Sequence, residues 1–180
     1  MRLVLSFYGL MAGAALAWRL AADGAMPWSE GPTEPVLPIP WRVGSGVAVG
    51  LLLVWASREF TARSAAGRAL ASELARLVGP VGAGRAFALA AASGLGEELF
   101  FRGALQPRVG WLAATLLFAV AHFVPTRELR SWAWFALAAG ALFGALFALT
   151  GDLLAPALAH ALVNGLNLRW LGERPGEDLG

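Results

Sequence analysis

The stretch SGLGEELFFRGAL, residues 93–105, places two adjacent carboxylates and a guanidinium inside a long apolar run. These groups belong to Glu97, Glu98 and Arg102. Residues four apart share a helix face, so Arg102 can pair with Glu98 and keep it charged at low cost. Glu97 lies about 100° further round the helix and is free to face a different centre. An ionisable group at membrane depth is costly, so the stretch predicts a functional site if it spans a bilayer.

The composition favours a bilayer as the solvent of this chain. Of its 180 residues, 58% are hydrophobic and only 14% are charged, which is too little polar surface for a soluble domain. The absence of cysteine excludes disulfides, thiol catalysis and thiolate metal sites. The pI of about 10.4 does not indicate nucleic-acid binding, because the arginines are spread between apolar segments. We therefore predict an integral membrane protein that binds no nucleic acid.

The hydropathy pattern predicts an all-α transmembrane bundle that forms a single domain, residues 1–180. The motif-bearing core covers about 82–171. Spanning segments need about 20 apolar residues, and fewer where a helix stops inside the protein. The first segment lacks a clear small-residue cleavage site, which favours an anchor over a signal peptide. Six spans are predicted, at about 3–22, 43–57, 82–106, 110–123, 131–150 and 152–171.

Two connections carry further information. Residues 23–42 are rich in proline, so a helix is not expected there. Residues 58–79 alternate arginine with alanine and leucine at helical spacing, which predicts an amphipathic helix on the membrane surface, with a solvated helical linker as the alternative. Arginines concentrate in 58–85, so the positive-inside rule makes that connection and both termini cytoplasmic. Arginine in place of lysine suggests a GC-rich bacterial genome, hence a bacterial inner membrane.

The remaining polar residues of the predicted spans are few. His122 and His160 are the only histidines, and Asn164 lies four residues after His160, on the same helix face. At a rise of 1.5 Å per residue, Glu97, His122 and Asn164 all lie roughly 18 Å into their spans. We therefore expect these side chains to meet near the middle of the membrane.

Such a set of groups can carry out hydrolysis. A buried carboxylate can take a proton from water, and an imidazole can hold that water. An amide and a second imidazole can donate to the oxyanion of a tetrahedral intermediate. The sequence shows no Ser–His–Asp pattern, no cysteine and no HExxH, which disfavours the usual nucleophilic and zincin mechanisms.

At these residues the sequence resembles the CPBP family of intramembrane proteases, which includes the type II CAAX prenyl endopeptidases and bacterial Abi proteins. The family motifs EExxxR, FxxxH and HxxxN lie on separate transmembrane helices, and the likeness covers about residues 85–170. The matching stretches are EELFFR (Glu97, Glu98, Arg102), FAVAH (Phe118, His122) and HALVN (His160, Asn164).

The resemblance implies a glutamate-dependent endopeptidase. Glu97 matches the general base, and His122 matches the group that helps to hold the water. His160 and Asn164 match the pair that stabilises the oxyanion, while Arg102 matches the structural partner of the second glutamate. The implied substrates are membrane-anchored proteins or peptides. The prenyl endopeptidases are longer, so a small member is more similar to the myxosortases, which are proposed to process C-terminal sorting tails of exported proteins.

Three alternatives stay open at this point. The family has also been described as metalloproteases, and two glutamates with two histidines could bind zinc. Asparagine is a poor zinc ligand and Arg102 disfavours a cation, so we expect no cofactor. A non-enzymatic immunity or partner-binding protein could share the fold. A proton-coupled transporter is disfavoured because the chain has no internal repeat.

Overall fold

The computed structural model describes residues 1–24, 27 and 37–174. Over these residues the chain is all α-helical, which confirms the predicted fold class. We number the α-helices in chain order and call the single π-helical stretch the π segment. The elements are α1 (Arg2–Asp23), α2 (Ile39–Arg63), α3 (Ala65–Val78), α4 (Ala83–Glu98), the π segment (Leu99–Leu105), α5 (Gln106–Ala121), α6 (Arg130–Thr150) and α7 (Leu154–Gly172).

Four helical stretches among the described residues are long and apolar enough to cross a membrane. They are Arg2–Asp23, Ile39–Arg63, Ala83–Ala121 and Arg130–Thr150. The stretch Ala83–Ala121 contains both the third and the fourth predicted spans. Gly110 breaks it, with φ 82° and ψ 163°, a conformation that a residue with a Cβ rarely adopts. Large apolar side chains such as Leu3 and Trp134 face outward, as a lipid-facing surface requires. The chain is a membrane protein.

The amphipathic helix predicted over 58–79 is shorter in the structure, because the first residues of that range belong to α2. Helix α2 continues to Arg63, and Ser64 then adopts an extended conformation that ends it. The Ser64 hydroxyl accepts a hydrogen bond from the Gly67 amide (2.9 Å) and so caps α3. Helix α3 buries Leu70 and Ala75 and packs against α2 and α7. It is therefore part of the bundle rather than a detached linker.

The proline-rich connection is also shorter than predicted. Helix α2 begins at Ile39, so residues 39–42, which we expected to be non-helical, form its first turn. A proline is tolerated there because the first amides of a helix have no partner within it. Residues 25–26 and 28–36 of this connection lie outside the described part of the chain.

Helix α7 is the central element of the bundle. It packs most extensively against α4 on one side and α2 on the other. Apolar residues of α2, α6 and α7 form the main core, including Leu53, Phe143 and Ala159. Asp152 fixes the start of α7, because it forms an ion pair with Arg42 of α2 and accepts a hydrogen bond from a backbone amide in the first turn. The ion pair joins the start of α7 to α2.

Candidate active site

A buried ionic network joins α4, the π segment and α7. Glu98 is fully buried, and Arg102 is only 1% exposed. The Glu98 Oε2 atom lies 3.2 Å from Arg102 Nε, and its Oε1 atom lies 2.8 Å from His160 Nδ1. Arg102 also donates to the Gly140 carbonyl of α6 (2.9 Å) and covers the Phe118 ring. Glu98 thus connects the guanidinium to an imidazole on another helix, in addition to the pairing with Arg102 that the four-residue spacing predicts.

Glu97 faces a different centre, as its position on the helix implies. Its Oε2 atom lies 3.6 Å from His122 Nε2 and 3.8 Å from His160 Nε2. This oxygen is buried and has no hydrogen-bond partner among the described residues. Both distances exceed the usual hydrogen-bond range, so the three atoms face one another across a small gap. Helices α4 and α7 contribute Glu97 and His160, and the residue directly after α5 contributes His122.

The contact made by the Nδ1 atom of each histidine determines which ring nitrogen carries the hydrogen. His122 Nδ1 lies 2.8 Å from the Phe118 carbonyl oxygen, which can only accept, so this nitrogen carries hydrogen. His160 Nδ1 faces the Glu98 carboxylate in the same way. In the neutral rings both Nε2 atoms are therefore hydrogen-bond acceptors. A water molecule in the gap would donate to Glu97 and to one histidine, which is the arrangement that a general base requires.

Asn164 lies one turn beyond His160 and makes a separate contact. Its Nδ2 atom donates to the Ser93 hydroxyl of α4 (2.9 Å). One N–H of the amide remains available after that bond. The structure thus brings together five of the six predicted site residues in one network. It places the sixth, Asn164, at the edge of that network on the same side of α7.

A cavity of about 330 Å³ adjoins the site at this edge. Tyr8, Ser93 and Asn164 line its end near the site. From there it follows α7 to the junction of α2 and α3, where Arg58 and Trp170 form part of the wall. Most of its lining is apolar, so it can hold an apolar segment of a substrate beside the polar cluster.

Comparison with known proteins now connects this geometry to a family. Residues 80–166 match the model of the type II CAAX prenyl endopeptidase Rce1-like family. These 87 of the 180 residues are similar to that family, within the CPBP group that the motifs indicate. The match includes every residue of the ionic network and of the Glu97 centre.

A curated relative adds little about activity. An uncharacterized Bacillus subtilis protein, YpbD, is 38% identical over 72 residues, which are 39% of this chain and 36% of YpbD. The chain therefore matches about a third of the length of that relative. No solved structure matches the chain.

The same centre is the place where a metal would have to bind. Within residues 1–24, 27 and 37–174, no group of three histidine, aspartate or glutamate side chains has metal-holding geometry. The separations of 3.6 and 3.8 Å between Glu97 Oε2 and the two Nε2 atoms exceed the roughly 3.4 Å between ligands of tetrahedral zinc. Small movements of Glu97, His122 and His160 would be needed to hold zinc, so the fit is incomplete.

Sequence reasoning missed three polar residues around the Rce1-like motifs. Gln106 donates to the Gly144 carbonyl of α6 (3.0 Å), one turn after Arg102 does the same at Gly140. A serine four residues before the first glutamate of the EExxxR motif was an available signal for Ser93, and the glycines four apart in α6 were one for the α6 contact. Tyr8 lies on α1, outside the matched region, and no spacing rule connects it to the cavity that it lines.

Proposed function

We propose that this protein is an intramembrane endopeptidase that cleaves membrane-associated proteins with a glutamate as general base. The observation that supports this most strongly is the buried Glu97 oxygen, which has no hydrogen-bond partner among the described residues and faces two histidine Nε2 atoms. It lies within residues 80–166, which match the model of a protease family. A carboxylate in that position can take a proton from water.

In the proposed reaction, water occupies the gap between Glu97 and His122. Its oxygen attacks the carbonyl carbon of the scissile peptide while Glu97 accepts its proton. The tetrahedral intermediate then collapses, the carbon–nitrogen bond breaks, and Glu97 returns the proton to the leaving amine. Each step conserves atoms and charge without a covalent enzyme intermediate.

His160 and Asn164 are the proposed oxyanion donors. His160 can donate from Nε2 only as an imidazolium, since Nδ1 already carries the hydrogen that faces Glu98. The carboxylate of Glu98 would stabilise that imidazolium, and Arg102 would keep Glu98 charged. Asn164 would use the N–H that is not bonded to Ser93. The proposed role of Glu98 and Arg102 is therefore to stabilise the imidazolium form of His160.

The proposed substrates are membrane-anchored proteins, including exported proteins with C-terminal sorting tails. The proposed location is a bacterial inner membrane with both termini in the cytoplasm. The apolar cavity beside Asn164 supports a substrate that enters from the bilayer rather than a soluble peptide. An exported protein retained by a C-terminal anchor would present such a segment.

The test compares cells that carry wild type, Glu97→Gln or Glu128→Gln at equal expression. Glu128 is exposed in the connection before α6 and serves as the matched control. Proteomics of membrane and surface fractions should show a set of proteins that stays uncut only with Glu97→Gln. If Glu97→Gln matches wild type while a deletion strain differs, the polar cluster is structural and a non-enzymatic role replaces the protease.

A zinc-dependent mechanism is the second candidate. The one observation that favours it is that the side chains of Glu97, His122 and His160 point at one centre. Metal analysis of the purified protein separates the two mechanisms. The metal-free proposal predicts well under one zinc per chain and cleavage that survives dialysis against a chelator. One zinc per chain in wild type, lost in Glu97→Gln, would establish the metalloprotease instead.

A further inference from the structure

The end of the cavity that lies away from the candidate site has its own group of polar side chains. Ser57, Arg58 and Thr61 belong to the last two turns of α2, and Asn167 lies on α7. Among the described residues that line the cavity, Arg58 is the single charged one, and most of the walls are apolar. The proposed mechanism uses none of these four side chains.

Arg58 is held by α7 without a carboxylate partner. Its Nη2 atom donates to the Leu166 carbonyl oxygen (3.1 Å), and its guanidinium carbon lies 3.9 Å from the centre of the Trp170 ring. Stacking occupies a face of the planar guanidinium, so N–H groups at its edge stay available for a ligand. Among the described residues no acidic side chain forms an ion pair with Arg58. Glu173, directly after α7, pairs with Arg169 instead (3.0 Å).

Asn167 adds a second hydrogen-bond donor beside Arg58. The Ser57 hydroxyl lies 2.8 Å from the Val54 carbonyl oxygen and 3.2 Å from the Asn167 Oδ1 atom. In either orientation of the Asn167 amide, at least one of its two N–H groups has no partner among the described residues. Arg58 contacts the residue before Asn167, and Asn167 contacts the residue before Arg58, so the two side chains are neighbours. A guanidinium and an amide N–H in one cavity wall favour an anion as the ligand.

These donors lie a short distance along α7 from the candidate site. Arg58 contacts Leu166 and Trp170, so its guanidinium is roughly 3–9 Å further along the helix axis than Asn164. An extended peptide advances about 3.3 Å per residue, so about one to three residues cover this distance. The cavity of about 330 Å³ is at the small end of the range for ligand pockets, which suits a short peptide segment.

We propose that Arg58 and Asn167 form a subsite for a carboxylate of the substrate, carried about one to three residues from the cleaved bond. The inference rests on the proposed peptidase function and deepens it, because it makes the bound segment apolar except for one acidic group. A carboxylate that leaves water for an apolar cavity needs donors, and this subsite supplies them. One cavity contains both Asn164 and Arg58, which favours a ligand that reaches the active site over a lipid headgroup.

The first test measures binding and needs no cleavage. Two tripeptides, blocked at both ends, carry two leucines followed by either glutamate or glutamine. Titration calorimetry at pH 7 measures their dissociation constants for the Glu97→Gln protein in a zwitterionic detergent. We expect the glutamate peptide to bind about tenfold more tightly, as one hydrogen-bonded charge pair implies. Equal affinities of the two peptides would overturn the proposal without any substitution of Arg58.

Substitutions then assign the preference to Arg58. Arg58→Met should abolish it, while Arg58→Lys keeps the charge and should retain part of it. Arg63→Met is the matched control, because Arg63 lies on the same helix, is 80% exposed and pairs with Glu59. A preference that survives Arg58→Met, or that Arg63→Met removes equally, would contradict the subsite.

Two further probes identify the source of the anion. Trileucine with a free carboxyl end, compared with its amide, tests a chain end. An Arg58-dependent preference in this pair alone would keep the subsite and make a chain end its ligand in place of a side chain. Native mass spectrometry with phosphatidylglycerol tests a lipid headgroup. Lipid retained by wild type but not by Arg58→Met, with no preference between the peptides, would overturn the substrate subsite.

The second test measures turnover of a membrane protein that accumulates uncut with Glu97→Gln. Such substrates should carry an acidic group within about three residues of the cut. Neutralising that group should raise KM about tenfold with little change in kcat, and Arg58→Met should remove the difference between the two substrates. Substrates without an acidic group in that window would overturn the subsite. Absence of cleavage by wild type overturns the peptidase proposal, and the binding preference then still decides whether Arg58 holds a carboxylate.

Discussion

Removal of the Arg102 guanidinium should destabilise the protein severely, and Arg102→Met tests this. The variant keeps an apolar side chain of similar length but leaves Glu98, which is fully buried, with His160 as its remaining ionic partner among the described residues. Breaking a buried ion pair by removing one partner costs about 3–5 kcal/mol, since the other charge stays desolvated. The hydrogen bond to the Gly140 carbonyl and the contact with the Phe118 ring are also lost.

The double variant Arg102→Met/Glu98→Gln should recover most of this loss. It has no unpaired charge, and neutral replacements of a buried ion pair are often close to neutral in stability. We expect it to lie within about 1–2 kcal/mol of wild type, which makes the two substitutions strongly non-additive.

Unfolding in mixed detergent micelles, followed by circular dichroism, measures these free energies. Arg169→Met is the matched control, because the Arg169–Glu173 pair is about half exposed on both sides and should contribute about 0.5 kcal/mol or less. The electrostatic argument fails if Arg102→Met loses less than about 1 kcal/mol. It also fails if the double variant is as unstable as the single one.

Three further substitutions test the packing around the site, each by the same unfolding assay. Gly46→Ala should destabilise by about 1–3 kcal/mol, since its Cβ would lie 2.6 Å from a backbone oxygen of α7, whereas Gly44→Ala meets nothing within 4 Å and should be neutral or stabilising. Equal effects of the two would contradict close packing of α2 on α7. Ser93→Ala should cost about 0.6 kcal/mol by removing the acceptor of the Asn164 amide, and cleavage should fall with it. Unchanged cleavage would show that this bond does not position the amide. Ser64→Ala removes the cap of α3 and should cost about 1 kcal/mol, and no loss would mean that packing alone holds that helix.

The sequence predicted those features that depend on residues close together in the chain. The pairing of Glu98 with Arg102 follows from a spacing of four on one helical stretch, and the end of α5 at His122 follows from the proline soon after it. The break at Gly110 separates two apolar segments whose combined length exceeds one membrane crossing.

The features that sequence reasoning missed depend on how separate helices pack. Tyr8 reaches the cavity beside the site only because α1 lies tightly on α4, and nothing in the residues near Tyr8 encodes that approach. The division between α2 and α3 was predicted at 57–58 instead of at Ser64, because Ser64 stands in a run of arginine and alanine with strong helical periodicity. Its capping role depends on the extended conformation at that one residue.

The π segment has a consequence for how sequences of this kind can change in length. A π turn closes hydrogen bonds five residues apart instead of four, so it accommodates one residue more than an α turn. Deletion of one residue within Leu99–Leu105 would let the segment wind as an ordinary α-helix and keep everything after it in phase, whereas the same winding with all seven residues would rotate everything after it by about 100° relative to Glu97 and Glu98. Gln106 would then leave its carbonyl partner on α6 although every side chain of the site was still encoded. The number of residues in the π segment therefore matters for the site as much as their identities, because it sets the rotation of the helix that follows.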